Sequence, residues 1–126
     1  MKCPYCNKEA EWVENSEIYG KRYGKSYMAY LCRDCDAYVG CHNNTRTALG
    51  TLANKELREA RKATHAVIDP LWKDGKYKRG TVYARLKDAF GEEIHVGESD
   101  LQRCKEIQET AKLIFTQDTL KERVDN

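Results

Sequence analysis

Two cysteine pairs, Cys3-Pro4-Tyr5-Cys6 and Cys32-Arg33-Asp34-Cys35, decide the fold of the first third of this chain. Each pair can present two thiolates to one ion from a single tight turn. Four sulfurs at about 2.3 Å complete the tetrahedral shell of Zn²⁺. The 25 residues between the pairs are enough for a long hairpin. The spacing therefore predicts one structural zinc with four ligands, Cys3, Cys6, Cys32 and Cys35, and no open position for chemistry.

Two other uses of paired cysteines compete with zinc. A redox motif needs only one Cys-x-x-Cys pair, and a disulfide framework needs an export signal. The chain enters the first pair at Cys3 with no apolar segment ahead of it, and it contains no run of 18 apolar residues. We therefore expect reduced thiols, a cytoplasmic protein and no membrane partner.

The charge of the chain excludes a strongly basic nucleic-acid binder. The 126 residues carry a formal charge of +2, with 7 basic and 6 acidic side chains in residues 1–50 and 15 and 14 in residues 51–126. Only local basic patches can therefore indicate a polyanionic partner.

The pattern predicts an α+β fold, with a zinc ribbon and its following loop in residues 1–50 and a helical part in residues 51–126. The two parts are expected to form one compact unit. Apolar and aromatic runs predict strands at Glu9–Tyr19, Ser26–Leu31 and Ala37–Val39.

Three helices are predicted after residue 50. The first begins at Asn54 as N-cap and is kinked or interrupted at Pro70, which has no amide hydrogen. A second covers Thr81–Phe90. The last opens on a capping box of Ser99 and Gln102, and the final residues, 117–126, are expected to fray. The side chains expected to point inward are Leu57, Ala60, Thr64, Val67, Ile68, Leu71, Val82, Leu86, Ala89, Phe90, Leu101, Cys104, Ile107, Ala111, Ile114 and Phe115.

Several segments together resemble a known family. They are Cys3-Pro-Tyr-Cys6, Leu31-Cys-Arg-Asp-Cys-Asp-Ala-Tyr-Val-Gly40, Gly50-Thr-Leu-Ala-Asn-Lys-Glu-Leu-Arg-Glu-Ala-Arg61, His65, Asp69-Pro-Leu-Trp72 and Ile94-His-Val-Gly97. From residue 3 to about residue 107, the chain resembles a phage and prophage family described as zinc-finger-containing, a domain of unknown function. The resemblance implies zinc binding and a phage-related origin, and it supplies no reaction.

The chain departs from that family pattern at two positions. Cys41 precedes His42 where the pattern has a single histidine, and Ala48 stands where it has a proline. Cys41 and His42 can lend a ligand to the first zinc or to a second site, or they are a small buried thiol beside a loop histidine. The four paired cysteines already complete a zinc shell, which favours the second interpretation.

A catalytic interpretation rests on the histidines. His65 and Asp69 are four residues apart on the predicted first helix, close enough for the carboxylate to orient the imidazole. If His42 and His95 converge on them, the cluster forms a second metal or hydrolytic site, with Arg58 and Arg61 available for phosphate. The alternative is an ordinary helical ion pair beside solvated arginines.

A nucleic-acid interpretation rests on two basic segments. The hairpin tip interleaves basic and aromatic residues that can meet phosphates and stack on bases, namely Lys21, Arg22, Tyr23, Lys25 and Tyr27. The linker between the first two predicted helices adds Lys76, Lys78 and Arg79. The alternatives are a small aromatic β-face and a solvated linker.

The leading prediction is a zinc-stabilised, phage-type cytoplasmic protein that binds DNA or RNA or assists a nucleic-acid process, without demonstrated catalysis. One rival is a small metal-assisted nuclease that uses His42, His65, Asp69 and His95. Another is an interaction module or inhibitor that acts on a host or phage protein.

Overall fold

The computed structural model describes residues 1–125, with side chains described for residues 1–115. It has the predicted α+β architecture, with a three-stranded antiparallel sheet and a four-cysteine cluster near the N-terminus, followed by helices. The chain divides into two compact units, residues 1–58 and residues 59–126. The boundary lies eight residues beyond the predicted one, inside a helix. The predicted packing of both parts as one unit stays a prediction.

The sheet of the first unit has the strand order β1-β2-β3. The strands are β1 at Glu11–Glu14, β2 at Met28–Cys32 and β3 at Ala37–Gly40. Trp12 pairs with Tyr30, which pairs in turn with Val39, so these three side chains share one face. The second cysteine pair lies at the tight connection between β2 and β3.

The predicted strand Glu9–Tyr19 is wrong in its second half. After β1 the chain forms a helical turn, α1, at Ser16–Tyr19. Gly20 closes this turn at φ +83°, and its amide donates to the carbonyl of Ser16. The apolar and aromatic residues Ile18 and Tyr19 suggested a strand, but the glycine provides the left-handed residue that ends a helical turn.

Helices make up most of the second unit. The helix α2 spans Lys55–Lys73 and begins in the first unit, α3 spans Arg79–Phe90, a 3-10 turn covers Val96–Glu98, and α4 spans Leu101–Asp125. Pro70 lies inside α2, so the helix is not interrupted there. The core of the unit is formed by Ile68, Val82, Leu86, Ile94, Val96, Ile107, Ala111 and Phe115.

Two predicted inward positions are exposed. Ala89 and Leu101 face solvent, whereas Cys104 is fully buried as predicted. Fraying is expected for residues 117–126. The side chains of these residues, and the whole of Asn126, lie outside the described part of the chain, so this stays a prediction.

The helix caps confirm one prediction and correct another. Asn54 Oδ1 accepts from the Leu57 amide at 3.0 Å, as an N-cap does. At α4 the cap is Asp100, whose Oδ1 accepts from the Arg103 amide at 2.8 Å. The predicted cap, Ser99, instead donates its hydroxyl to the carbonyl of His95. A serine and an aspartate in succession offer two candidate caps, and a sequence pattern does not choose between them.

None of the described helices combines the length and apolar character needed to cross a membrane.

Candidate metal centre and hairpin surface

The first cysteine pair is presented by a tight turn. The Cys3 amide donates to the carbonyl of Lys8, and the Asn7 amide donates to the carbonyl of Cys3, both at 2.8 Å. Asn7 follows the pair with φ +63°. The amides of Tyr5 and Cys6 donate to the sulfur of Cys3, so the turn directs backbone dipoles at that thiolate.

The second pair repeats this geometry. Asp36 follows Cys35 with φ +49°, and its amide donates to the carbonyl of Arg33. Asparagine and aspartate tolerate the left-handed region better than other residues with a side chain. The Asn or Asp directly after each Cys-x-x-Cys pair is therefore a sequence signal for the knuckle conformation, and our reading of the sequence missed it.

The four sulfurs come together as a zinc site requires. The ligand atoms of Cys3, Cys6, Cys32 and Cys35 all lie within 4.8 Å of one another, and the Sγ atoms of Cys6 and Cys32 are 3.6 Å apart. Tetrahedral Zn²⁺ with bonds of about 2.3 Å separates its sulfur ligands by roughly 3.8 Å. The donor set and its spacing therefore fit one structural Zn²⁺, which these four thiolates would hold.

The electrostatics of the cluster also call for a cation. Burial and hydrogen bonds with the neighbouring thiols raise the pKa of Cys35 to about 12. Burial opposes ionisation of Cys3 too, but the amides of Tyr5 and Cys6 lower its pKa. Four adjacent thiols cannot all ionise without compensation, and a divalent metal supplies it.

The cluster is supported by small side chains and an exposed ion pair. Cys3 and Cys32 are buried with Ala10, Ala37 and Leu52, a very small apolar core. On the surface, Lys8 Nζ lies 2.8 Å from Asp34 Oδ2 and joins the two cysteine turns. So small a core indicates that the metal contributes much of the stability of this unit.

Cys41 has a different role from the four ligand cysteines. It is fully buried and is not part of the four-sulfur cluster. Burial raises the pKa of its thiol, and the neighbouring Trp12 indole and Arg46 guanidinium oppose that rise. His42, beside it, is exposed and lies in a turn, where its carbonyl accepts from Thr45. Cys41 is therefore a small buried thiol beside a loop histidine, in agreement with the second interpretation of this pair.

Among the described residues of each unit taken by itself, the histidine candidates form no second metal site. The four cysteines are the one group there of three or more such side chains close enough to hold an ion. His65 Nδ1 lies 3.4 Å from Asp69 Oδ1, so the predicted helical pair is present, but Asp69 also lies 3.8 Å from Lys73. His95 is exposed next to the 3-10 turn.

The two arginines assigned to phosphate in the catalytic interpretation make internal contacts instead. Arg58 donates to the carbonyls of Asp36 and Ala53, and its guanidinium lies 4.2 Å from the centre of the Tyr38 ring. Arg61 donates twice to the carbonyl of Ser99, at 3.1 and 3.0 Å. These contacts hold the fold, so neither arginine lies in the solvated face that we had considered.

The loop at the hairpin tip is held by one buried side chain. The Asn15 amide group donates from Nδ2 to the carbonyl of Tyr23 at 2.8 Å, and its Oδ1 accepts from the Tyr23 amide at 3.0 Å. The backbone amide of Asn15 donates to the carbonyl of Tyr27 at 2.6 Å. Asn15 is thus an internal clamp, and the sequence offered no sign of it.

The predicted tip residues differ in their surroundings. Tyr23 is 70% exposed, and Lys21 and Lys25 are exposed and form no ion pair among the described residues. Arg22 pairs with Glu14, and its guanidinium lies 4.4 Å from the centre of the Tyr27 ring. One face of Tyr27 is therefore covered, whereas Tyr23 remains largely exposed, with its ring centre 5.8 Å from that of Tyr19.

The second basic segment lies between α2 and α3. Lys78 is the N-cap residue of α3, in extended conformation. Arg79 lies 4.6 Å from the centre of the Tyr83 ring, and Lys76 Nζ lies 5.7 Å from that of Tyr77. Lys76, Lys78 and Arg79 are all exposed, and two of these three cations lie near an aromatic ring.

Comparison with protein families identifies the family of this chain. The model of a family described as a zinc-finger-containing domain matches residues 1–113. The chain belongs to that family, and its four-cysteine cluster is a structural zinc site. Comparison with curated proteins and with solved structures finds no match.

Proposed function

We propose that this protein binds nucleic acid through the tip of its zinc-held hairpin, residues 19–27. The observation that carries the proposal is the exposed ring of Tyr23 between two lysines, Lys21 and Lys25, that have no carboxylate partner among the described residues.

The composition of the tip supports a polyanionic partner. Residues 19–27 contain three basic residues, three tyrosines and no acidic residue, in a chain whose total charge is only +2. Lysines without carboxylate partners can meet phosphates and release counterions, and an exposed tyrosine ring can stack on a base. Both kinds of contact are therefore available at one site.

The order of the tip supports the same proposal. Asn15 fixes the backbone on both sides of Tyr23 and lies in the turn directly after β1. The sheet that carries this turn is held by the zinc knuckles. A loop fixed in advance loses less conformational entropy when it binds, so more of its interaction energy appears as affinity.

The second basic segment extends the proposal to the helical unit. Lys76, Lys78 and Arg79 begin α3 or directly precede it, and no acidic residue lies in the first turn of that helix. A helix N-terminus with adjacent cations favours a phosphate group. We assign this segment a secondary, sequence-independent contact.

The cellular setting is part of the same proposal. Free, metal-binding thiolates suit a reducing compartment, which supports a cytoplasmic location. The resemblance to phage and prophage proteins supports a role as an accessory in a phage-related nucleic-acid process.

The surroundings of the candidate catalytic residues favour binding of nucleic acid over its cleavage. A nuclease of the predicted kind needs a second metal or a histidine cluster, and the described side chains include no such group besides the cysteines. We therefore retain His65 and Asp69 as the pair to mutate in a cleavage control.

The experiment is equilibrium binding of labelled single- and double-stranded DNA and RNA across a range of salt concentrations. The test variant is Lys21→Ala/Arg22→Ala/Lys25→Ala. Its matched control is Lys62→Ala/Lys105→Ala/Lys112→Ala, which removes the same charge at exposed positions in the second unit. The tip variant should bind more weakly, and its salt slope should fall by roughly 0.7–0.9 for each phosphate group that the variant no longer neutralises.

The control variant should keep most of the affinity and the salt slope. An equal loss in both variants would show that only net charge matters. Absence of wild-type binding to every nucleic acid at low salt would overturn the proposal and direct the search to a protein partner. Metal-dependent cleavage that is abolished by His65→Ala would select the nuclease instead.

A further inference from the structure

A groove of about 310 Å³ opens on the same unit as the hairpin tip. Trp12 of β1 and the segment 26–28 line it, together with the loop that follows β3, residues 43–46. No acidic residue is among the lining side chains. The volume exceeds that of one nucleobase, and the groove shares Tyr27 with the proposed binding surface.

Arg46 provides a charged planar surface in this groove. Its guanidinium lies 4.2 Å from the centre of the Trp12 ring, and it forms no ion pair among the described residues. A guanidinium that rests on an indole keeps its outer face available, and that face can stack on a base while its N–H groups reach a phosphate.

The walls of the groove are fixed before any ligand binds. Trp12 lies in β1, where it pairs with Tyr30 of β2, and the Ser26 hydroxyl donates to the carbonyl of the buried Cys41. The Tyr30 hydroxyl donates to the carbonyl of Arg46 at 2.7 Å. The groove therefore has the preformed character of a binding site.

Two amide side chains at the rim have no assigned partner. Asn43 and Asn44 are exposed, and their side chains make no hydrogen bond among the described residues. Asn44 has φ +59°, within a turn in which the Thr45 amide donates to the carbonyl of His42. An amide offers both a donor and an acceptor, as the edge of an unpaired base requires.

We infer that this groove binds one unpaired nucleobase of a single-stranded nucleic acid, stacked on the Arg46 guanidinium with its edge facing Asn43 and Asn44. This inference rests on the proposed function and specifies its substrate as single-stranded. A paired base inside a duplex cannot enter, because its Watson–Crick edge and both of its faces are already occupied.

The first test compares oligonucleotides with identical backbones. A single-stranded oligonucleotide should bind more tightly than the corresponding duplex. An oligonucleotide of the same length with abasic sites keeps its phosphates but should bind about 5- to 150-fold more weakly, the range expected for loss of one stacked base. A Trp72→Phe background leaves Trp12 as the single tryptophan, and its fluorescence should change on binding the normal strand and much less on binding the abasic one.

The second test uses variants of the groove. Arg46→Lys keeps the charge but removes the planar guanidinium, so it should reduce the preference for normal over abasic strands. Asn43→Ala/Asn44→Gly removes both amides, and glycine suits the left-handed conformation of residue 44. Lys105→Ala, in the second unit, is the control and should leave the preference unchanged. Zinc content should equal that of the wild type in every variant.

The outcomes separate this inference from the proposed function. Equal affinity for normal and abasic strands, together with unaltered Trp12 fluorescence, would overturn the base site. If the tip variant still weakened binding in that case, the phosphate-binding tip would be retained. Equal affinity for duplex and single strand would also overturn it. Lack of binding to any nucleic acid would remove both.

Discussion

At the scale of single residues, Asn15 links the sequence to the proposed surface most directly. It is 7% exposed, and its side chain satisfies both backbone polar groups of Tyr23. Nothing in the sequence distinguishes it from the exposed asparagines at 43 and 44. A buried amide that pairs with backbone eight residues away depends on the local turn, which periodicity does not describe.

Asn15→Ala tests this clamp. The loss of two hydrogen bonds should lower the free energy of unfolding by about 1–3 kcal/mol. The denaturant midpoint of the zinc-loaded protein measures it, and the Tyr23 amide should exchange faster with solvent. Asn43→Ala is the matched control and should change stability by less than about 0.5 kcal/mol. Equal effects of the two substitutions would contradict the clamp.

Cys104 is a second residue with a testable property, namely its lack of reactivity towards thiol reagents. It is fully buried in α4, as its position on the inward face predicted, so it should act as a small apolar side chain. A thiol reagent added to the native, zinc-loaded protein should leave Cys104 unmodified, as peptide mass analysis would show. Modification within the mixing time would show that this helix face opens to solvent.

At the scale of the elements, the two cysteine knuckles could be predicted, because zinc imposes both the ligand type and its spacing. The helices could be placed as well, since their apolar faces repeat regularly. The second half of the first strand could not, because residues 16–19 satisfy a strand pattern and a helical turn equally well. Whether the histidines converge could not be decided from the sequence, because spacing along the chain does not fix which elements meet.

Only part of the proposed nucleic-acid surface could be predicted from the sequence. The tip residues were visible as an interleaved run from Lys21 to Tyr27. The groove could not be predicted, because it depends on the contact between Arg46 and Trp12. These two residues are 34 positions apart in the chain, and both lie outside the run. Cross-strand and loop contacts of this kind become visible only with the strand register.

Removal of zinc should affect the two units unequally. The first unit has a very small apolar core around Cys3 and Leu52, whereas the core of the second unit contains no zinc ligand. A strong chelator should therefore abolish the β-structure of residues 1–58 and leave most of the helical signal, as circular dichroism and limited proteolysis can show. Complete loss of helix on chelation would contradict two independently stable cores.

Zinc binding should also release protons. Burial and the neighbouring thiols raise the pKa of Cys35 to about 12, so this group is protonated at neutral pH until the metal displaces its proton. Loading the reduced protein at pH 7 should release about four protons, and zinc affinity should fall as the pH is lowered. Potentiometric titration measures the number. Release of about two would mean that fewer than four thiolates bind the metal.

At the scale of the whole molecule, the protein is nearly neutral, and two of its segments combine exposed cations with aromatic rings. The hairpin tip presents lysines beside an exposed tyrosine ring, and the start of α3 presents lysine and arginine beside other aromatic rings. Several of the described acidic groups pair with cations, for example Asp34 with Lys8 and Glu11 with Arg33. Local arrangement and not net charge thus carries the proposed function.

The central claim is that the zinc-held hairpin is a nucleic-acid surface. Its most direct test is an amide chemical-shift titration of the uniformly labelled, zinc-loaded chain with a single-stranded oligonucleotide at low salt. The largest shifts are expected at residues 19–27 and 43–46, with smaller ones at 76–79 and little change at the four zinc ligands. Shifts confined to other parts of the second unit, or no shifts at all, would contradict it.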